Sequence, residues 1–193
     1  MERSAIYRRA LAPISTFLGV IGIVAALVAW KLKLDRTEEF AIYWMGVSLV
    51  GLAGAFLLVR RQALKSGEKL LSPPTRRIAQ AIFPALFVGM VLGVVVAVQF
   101  QGNWEPVSFS LAVIWTLLFG LALNSAGFFM QRGIRLFGWL FLLAALVAIA
   151  LSIFYDFSET EISPHLFMGA MFGGGHFAYG VYLYFTEKGK NVA

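Results

Sequence analysis

Residues 136–154 read LFGWLFLLAALVAIALSIF, nineteen positions without a charge, and they decide the fold class. Arg132 and Arg135 stand just before the run, and Tyr155 and Asp156 just after it. At 1.5 Å per residue, a helix of this length covers close to the ~30 Å of hydrocarbon in a bilayer. Basic residues at one end and an acid at the other also give it a direction, because short cytoplasmic loops collect Lys and Arg.

Five more apolar stretches of similar length flank it, at residues 12–30, 40–59, 78–98, 107–129 and 164–185. Trp30, Tyr43, Trp44, Trp104 and Tyr155 fall near their ends, where amphipathic rings favour the headgroup layer. The first stretch follows a basic start as a signal peptide does. Its apolar run is longer than a signal core and lacks a small-x-small site before Trp30, so a retained helix is expected. Only 13% of the 193 residues are charged, against about 25% in a soluble domain. No stretch remains for a separate water-soluble core. The expectation is an all-α integral membrane protein, one domain over residues 1–193, with six transmembrane helices in three hairpins.

Of the 16 Lys and Arg residues, 13 fall on one side of this topology and three, Lys31, Lys33 and Arg36, on the other. Asp35, Glu38, Glu39, Glu105, Asp156, Glu159 and Glu161 share the side of the three. That asymmetry places both termini in the cytoplasm. The net charge of +6 is therefore an orientation signal and does not call for nucleic acid. The densest basic segment holds Arg60, Arg61, Lys65, Arg76 and Arg77, with a short interfacial helix expected over 62–71 before Ser72-Pro73-Pro74. These cations can contact anionic lipid, at about 1 kcal/mol each near the surface. Orientation alone also explains them.

The chain has no cysteine, which excludes disulfides, thiolate metal sites and a cysteine nucleophile. Its two histidines, His165 and His176, both lie on the sixth stretch. Eleven residues at 100° each return to within about 20°, so an unbroken helix would put them on one face with Gly169, Gly173 and Gly180. Small residues there let a neighbouring backbone approach closely. Gly173-Gly174-Gly175 should loosen the helix beside His176, by up to about 3 kcal/mol relative to alanine. Residues Thr116, Gly120, Asn124, Gly127 and Gln131 form a second polar and small face, on the fourth stretch. Asn124 sits near mid-membrane, where an unpaired amide is costly. The expectation is a polar seam in which the fourth and sixth stretches meet at Asn124 and His176. Tight packing with hydrogen-bonded side chains is the plainer alternative.

No carboxylate lies inside a span, and a bis-histidine haem would need a histidine on a second helix. A catalytic triad and a phosphate-binding glycine loop are also absent from the sequence, so no cofactor and no metal are expected. The segments HFAYGVYLYFTE (residues 176–187), PPTRR (73–77) and AGFF (126–129) together resemble a group of small six-helix bacterial inner-membrane proteins of about this length. The resemblance covers the whole chain, implies location and topology, and lends no activity. Two functions are carried forward. One is a non-catalytic scaffold, sensor or regulator, whose partners are the lipid bilayer and either further copies of the chain or another membrane protein. The alternative is a small transporter or channel for a neutral or weakly polar solute, using the seam.

Overall fold

The computed structural model describes residues 3–67, 73–130, 132–154 and 163–188. Five long helices come first: α1 (Arg3–Leu32), α2 (Thr37–Ser66), α3 (Pro73–Gln99), α4 (Glu105–Ala126) and α5 (Arg132–Phe154). All five are long and apolar enough to cross a membrane, as in a multi-pass membrane protein. Among the described residues there is no strand.

The sixth stretch is not one α-helix. It runs as α6 (Pro164–Met168, five residues), a π-helical segment (Gly169–Gly174, six residues) and α7 (Gly175–Lys188, 14 residues). The backbone stays right-handed helical through both joins, with φ/ψ of −61/−42° at Gly169 and −58/−48° at Gly175. Gly169, Gly173 and Gly174 fall within this segment, and glycine is a weak α-helix former, so departing from the i→i−4 pattern costs less here than elsewhere. Each π-type turn takes in one more residue than an α-turn, so everything after Gly174 slips in phase.

α1 and α2 have 30 residues each, about 45 Å of helix, and so outrun the hydrocarbon. α2 continues without a break from its apolar run through Arg60, Arg61 and Lys65. The separate interfacial helix expected from residue 62 is thus, as far as the described residues go, the last turn of α2. Gly67 closes it at φ 66°, donating its N–H to Ala63 O and Leu64 O, as a left-handed C-terminal glycine does. Pro73 opens α3, where a missing N–H is no loss. α4 stops at Ala126, three residues short of the expected end, and residues 127–130 form turn and bend.

Lipid tails are as apolar as leucine, so burying apolar surface does not by itself bring these helices together; close packing does. Two seams show it. Along α1, Gly19 and Gly22 face Phe177 and Gly173, and Ala26 faces Gly169; a Cβ on Gly173 would lie 2.6 Å from Ile23 N. Between α4 and α5, Gly120 and Gly138 lie against each other's helix, and a Cβ on Gly138 would stand 2.9 Å from Asn124 N. α1 packs on α2 and α3 on α4, as hairpins should, while α5 lies closest to α4 and the sixth stretch closest to α1. The outward stripe of α5 (Leu136, Leu140, Leu143, Val147) is more than half exposed, a face that belongs against hydrocarbon.

Candidate functional site

His165 lies where α6 meets the loop end of α1 and α2. The indole N–H of Trp44 donates to its Nδ1 at 3.1 Å, and its Nε2 lies 2.9 Å from Leu34 O. An indole only donates and a carbonyl only accepts, so His165 is the neutral Nε2–H tautomer with both nitrogens in use. Its ring packs edge-on against Phe40 at 5.0 Å. One helix turn away, the Tyr43 hydroxyl donates to Ala25 O at 2.8 Å. His165 therefore ties three elements together and has no nitrogen left for a ligand.

The same end carries a clamp that the sequence reading missed. Thr37 is fully buried; its N–H donates to Gly102 O, and its hydroxyl accepts from the Trp104 N–H at 2.9 Å and lies 3.1 Å from the Ser108 hydroxyl. Gly102, at φ 103°, donates its own N–H to Glu38 Oε2 at 2.9 Å, and Glu38 also pairs with Arg36. The available signal was Thr37-Glu38 at a helix start, with a glycine between the third and fourth stretches.

His176 is in a different setting. Its Nδ1 lies 2.7 Å from Phe172 O, the carbonyl four residues back. That carbonyl can only accept, so Nδ1 carries the hydrogen and Nε2 holds a lone pair. The rings of Phe119, Phe137 and Phe141 surround the imidazole with centroids 5.1 to 5.6 Å away, and Phe172 stacks on it at 6.3 Å. Tyr179 extends the group by stacking on Phe137 at 4.4 Å. His165 and His176 thus turn toward different helices. The one-face arithmetic holds only for an unbroken α-helix, and the π segment between them removes that condition.

The other residues of the expected seam are divided in the same way. Gly173 and Gly180 press on α1, against Ile23 and Thr16. Thr116 is fully buried and donates within its own helix to Ala112 O at 2.8 Å. Asn124 lies on the α5 side, next to Gly138, and its buried Nδ2 has no hydrogen-bond partner among the described residues. Gln131 lies outside the described residues, as do Asp156, Glu159 and Glu161. So α4 turns its small, polar face to α5, and what it offers His176 is the ring of Phe119. Arg60, Arg61, Lys65, Arg76 and Arg77 are all exposed at the far ends of α2 and α3. Among the described residues no three His, Asp or Glu side chains converge as metal ligands.

His176 does line a cavity of ≈ 260 Å³. Phe172 and Met168 continue its inner wall, with Gly22 of α1 and Trp115 and Phe119 of α4. α2 contributes Trp44, Ser48 and Gly51, and α3 contributes Ala85 and Gly89. The rim includes Leu49 and Leu52 of α2 and Leu86 and Met90 of α3, all exposed. The polar groups of the wall are mostly occupied: Ser48 donates to Met45 O, Trp115 Nε1 to Gly89 O and Trp44 Nε1 to His165. Asn124 is not part of the lining. Most of these residues fall toward the middle of their apolar stretches, with Trp44 and Met168 nearer the loop end.

Comparison of the chain with protein-family models, with curated proteins and with solved structures gives no match.

Proposed function

We propose that this chain is a six-span protein of the bacterial inner membrane, with both termini in the cytoplasm, that works without catalysis by holding a bilayer-dissolved apolar molecule and acting as its sensor or regulator. The observation that carries this reading is the ≈ 260 Å³ cavity, walled by five of the six stretches and rimmed by lipid-facing side chains. It is slightly smaller than the ~300 Å³ at which small-molecule sites begin, so it suits part of a lipid-like molecule. Orientation rests on the charge asymmetry of the loops, and the exposed cations at the α2 and α3 ends suit anionic headgroups on that side.

Transport of a polar solute ranks second. A hydrated solute needs polar groups along its path, whereas this cavity is walled by hydrocarbon and Asn124 lies away from it. Native mass spectrometry on protein released from bilayers tests the ligand reading. The expected result is a retained neutral adduct on wild type that is absent from Ser48→Phe, in which the ring fills the cavity. Bare protein in both samples contradicts it. The absence of native cysteine allows a clean test of orientation: Gly67→Cys should react only with a reagent on the cytoplasmic side, and Asn103→Cys only from the other side.

A further inference from the structure

A cavity that opens toward lipid faces a selectivity problem. Acyl chains of the bilayer are as apolar as any ligand, so hydrocarbon contact alone favours no occupant over the surrounding lipid. Selection has to come from shape or from a polar atom. On this wall Ser48, Trp44 and Trp115 spend their hydrogens on protein acceptors, and His176 spends Nδ1–H on Phe172 O. Two acceptors remain: the hydroxyl oxygen of Ser48, an exposed residue, and the lone pair on Nε2 of the buried His176, the one framed by aromatic rings.

Resting on the ligand reading above, we infer that His176 Nε2 is the recognition atom of the cavity and that the ligand is a neutral chain-bearing alcohol or phenol whose hydroxyl donates to it. Three features restrict the chemistry. The tautomer makes Nε2 an acceptor, so a hydroxyl fits and a ketone, ester or ether oxygen does not. His176 falls at the middle of its apolar stretch, a depth that excludes a charged or zwitterionic head, which would have to leave water for the bilayer centre. Two of the rings around the imidazole, Phe119 and Phe172, also line the cavity and offer faces and edges to an aromatic or isoprenoid group. The hydrogen bond forms where no water competes, so it separates a hydroxyl compound from its methyl ether by about threefold to tenfold in affinity.

Trp44 and Trp115 line the cavity and serve as reporters. Trp30, Trp104 and Trp139 are exposed and are changed to Phe in the full-length protein. The probes are a long-chain alkylphenol brominated on its ring and the O-methyl ether of the same molecule, titrated into bilayers while tryptophan quenching is read. The phenol is expected to quench saturably, at about one third to one tenth of the ether concentration needed. His176→Phe should bring the two curves together, and Ser48→Phe should remove saturation for both. Equal curves in the unsubstituted cavity, or a phenol preference that survives His176→Phe, overturn the role of His176 and leave the cavity reading standing. Quenching by neither probe beyond the linear bilayer background overturns both. Because the phenol and ether are compared on the intact cavity, the test survives a His176 variant that fails to fold.

Discussion

The sixth stretch has two flanks, and they are built on opposite principles. Against α1 it lies backbone to backbone, glycine facing glycine at Gly22 and Gly173, with no room for a single added carbon. Away from that seam the same stretch lines, with Met168, Phe172 and His176, a cavity of ≈ 260 Å³ whose other walls come largely from α2, α3 and α4. Hydrophobicity does not distinguish the two flanks; side-chain size does. In hydrocarbon, helices associate through shape, so small residues make a fixed spine and large mismatched ones leave a void. A dry void of this volume would forfeit on the order of 6 kcal/mol at about 24 cal/mol per Å³. A cavity rimmed by lipid-facing leucines is better understood as one that the membrane fills.

Substitutions should separate the flanks sharply. Gly173→Leu, whose Cβ alone would meet the α1 backbone, is expected to prevent folding, and Gly173→Ala to cost about 3 kcal/mol or more in a detergent unfolding titration. The internal control is Gly46→Ala on α2, where nothing lies within 4 Å; it should be neutral or stabilise by up to about 1 kcal/mol. Equal effects at Gly46 and Gly173 would remove the distinction on which the comparison rests.

Smaller losses belong to the hydrogen bonds at the loop end. Trp44→Phe leaves the buried His165 Nδ1 without its donor and should destabilise by about 1–3 kcal/mol in the same titration. On the cavity flank, Ser48→Phe should change stability by less than about 1 kcal/mol, because it enters empty space; a loss of 2 to 3 kcal/mol, as in an overpacked core, would mean that the space is not there. Smallest of all, changing Arg60, Arg61 and Lys65 together to Gln should leave stability within about 0.5 kcal/mol. It should still weaken retention of anionic lipid, by about 1 kcal/mol per charge removed, as read by native mass spectrometry.

The all-helical fold and five of its helices were legible in the sequence because charge-free runs of about 20 residues have few alternatives. The weakened helix at Gly173-Gly174-Gly175 was legible too, and it emerged as the π segment. The consequence for phase was not: hydropathy and 100° arithmetic assume a constant turn, and one widened segment sends His165 to Trp44 and His176 to Phe119, Phe137 and Phe141. Small-residue faces were also found correctly without their partners. The pattern Thr116, Gly120, Asn124 says that something approaches closely, and whether α5 or the sixth stretch does so depends on long-range packing with no periodicity of its own. The cavity left no mark in the sequence, since a void is a relation among five helices.

The property that matters most is whether the flank opposite the glycine seam is open to the membrane. Protein retaining only Trp44 and Trp115 is placed in bilayers whose lipids carry bromine at mid-chain, and quenching is compared with the Ser48→Phe variant of the same protein. Strong quenching is expected, falling markedly when the phenylalanine fills the cavity. The same quenching in both proteins, or none in either, would contradict an open flank.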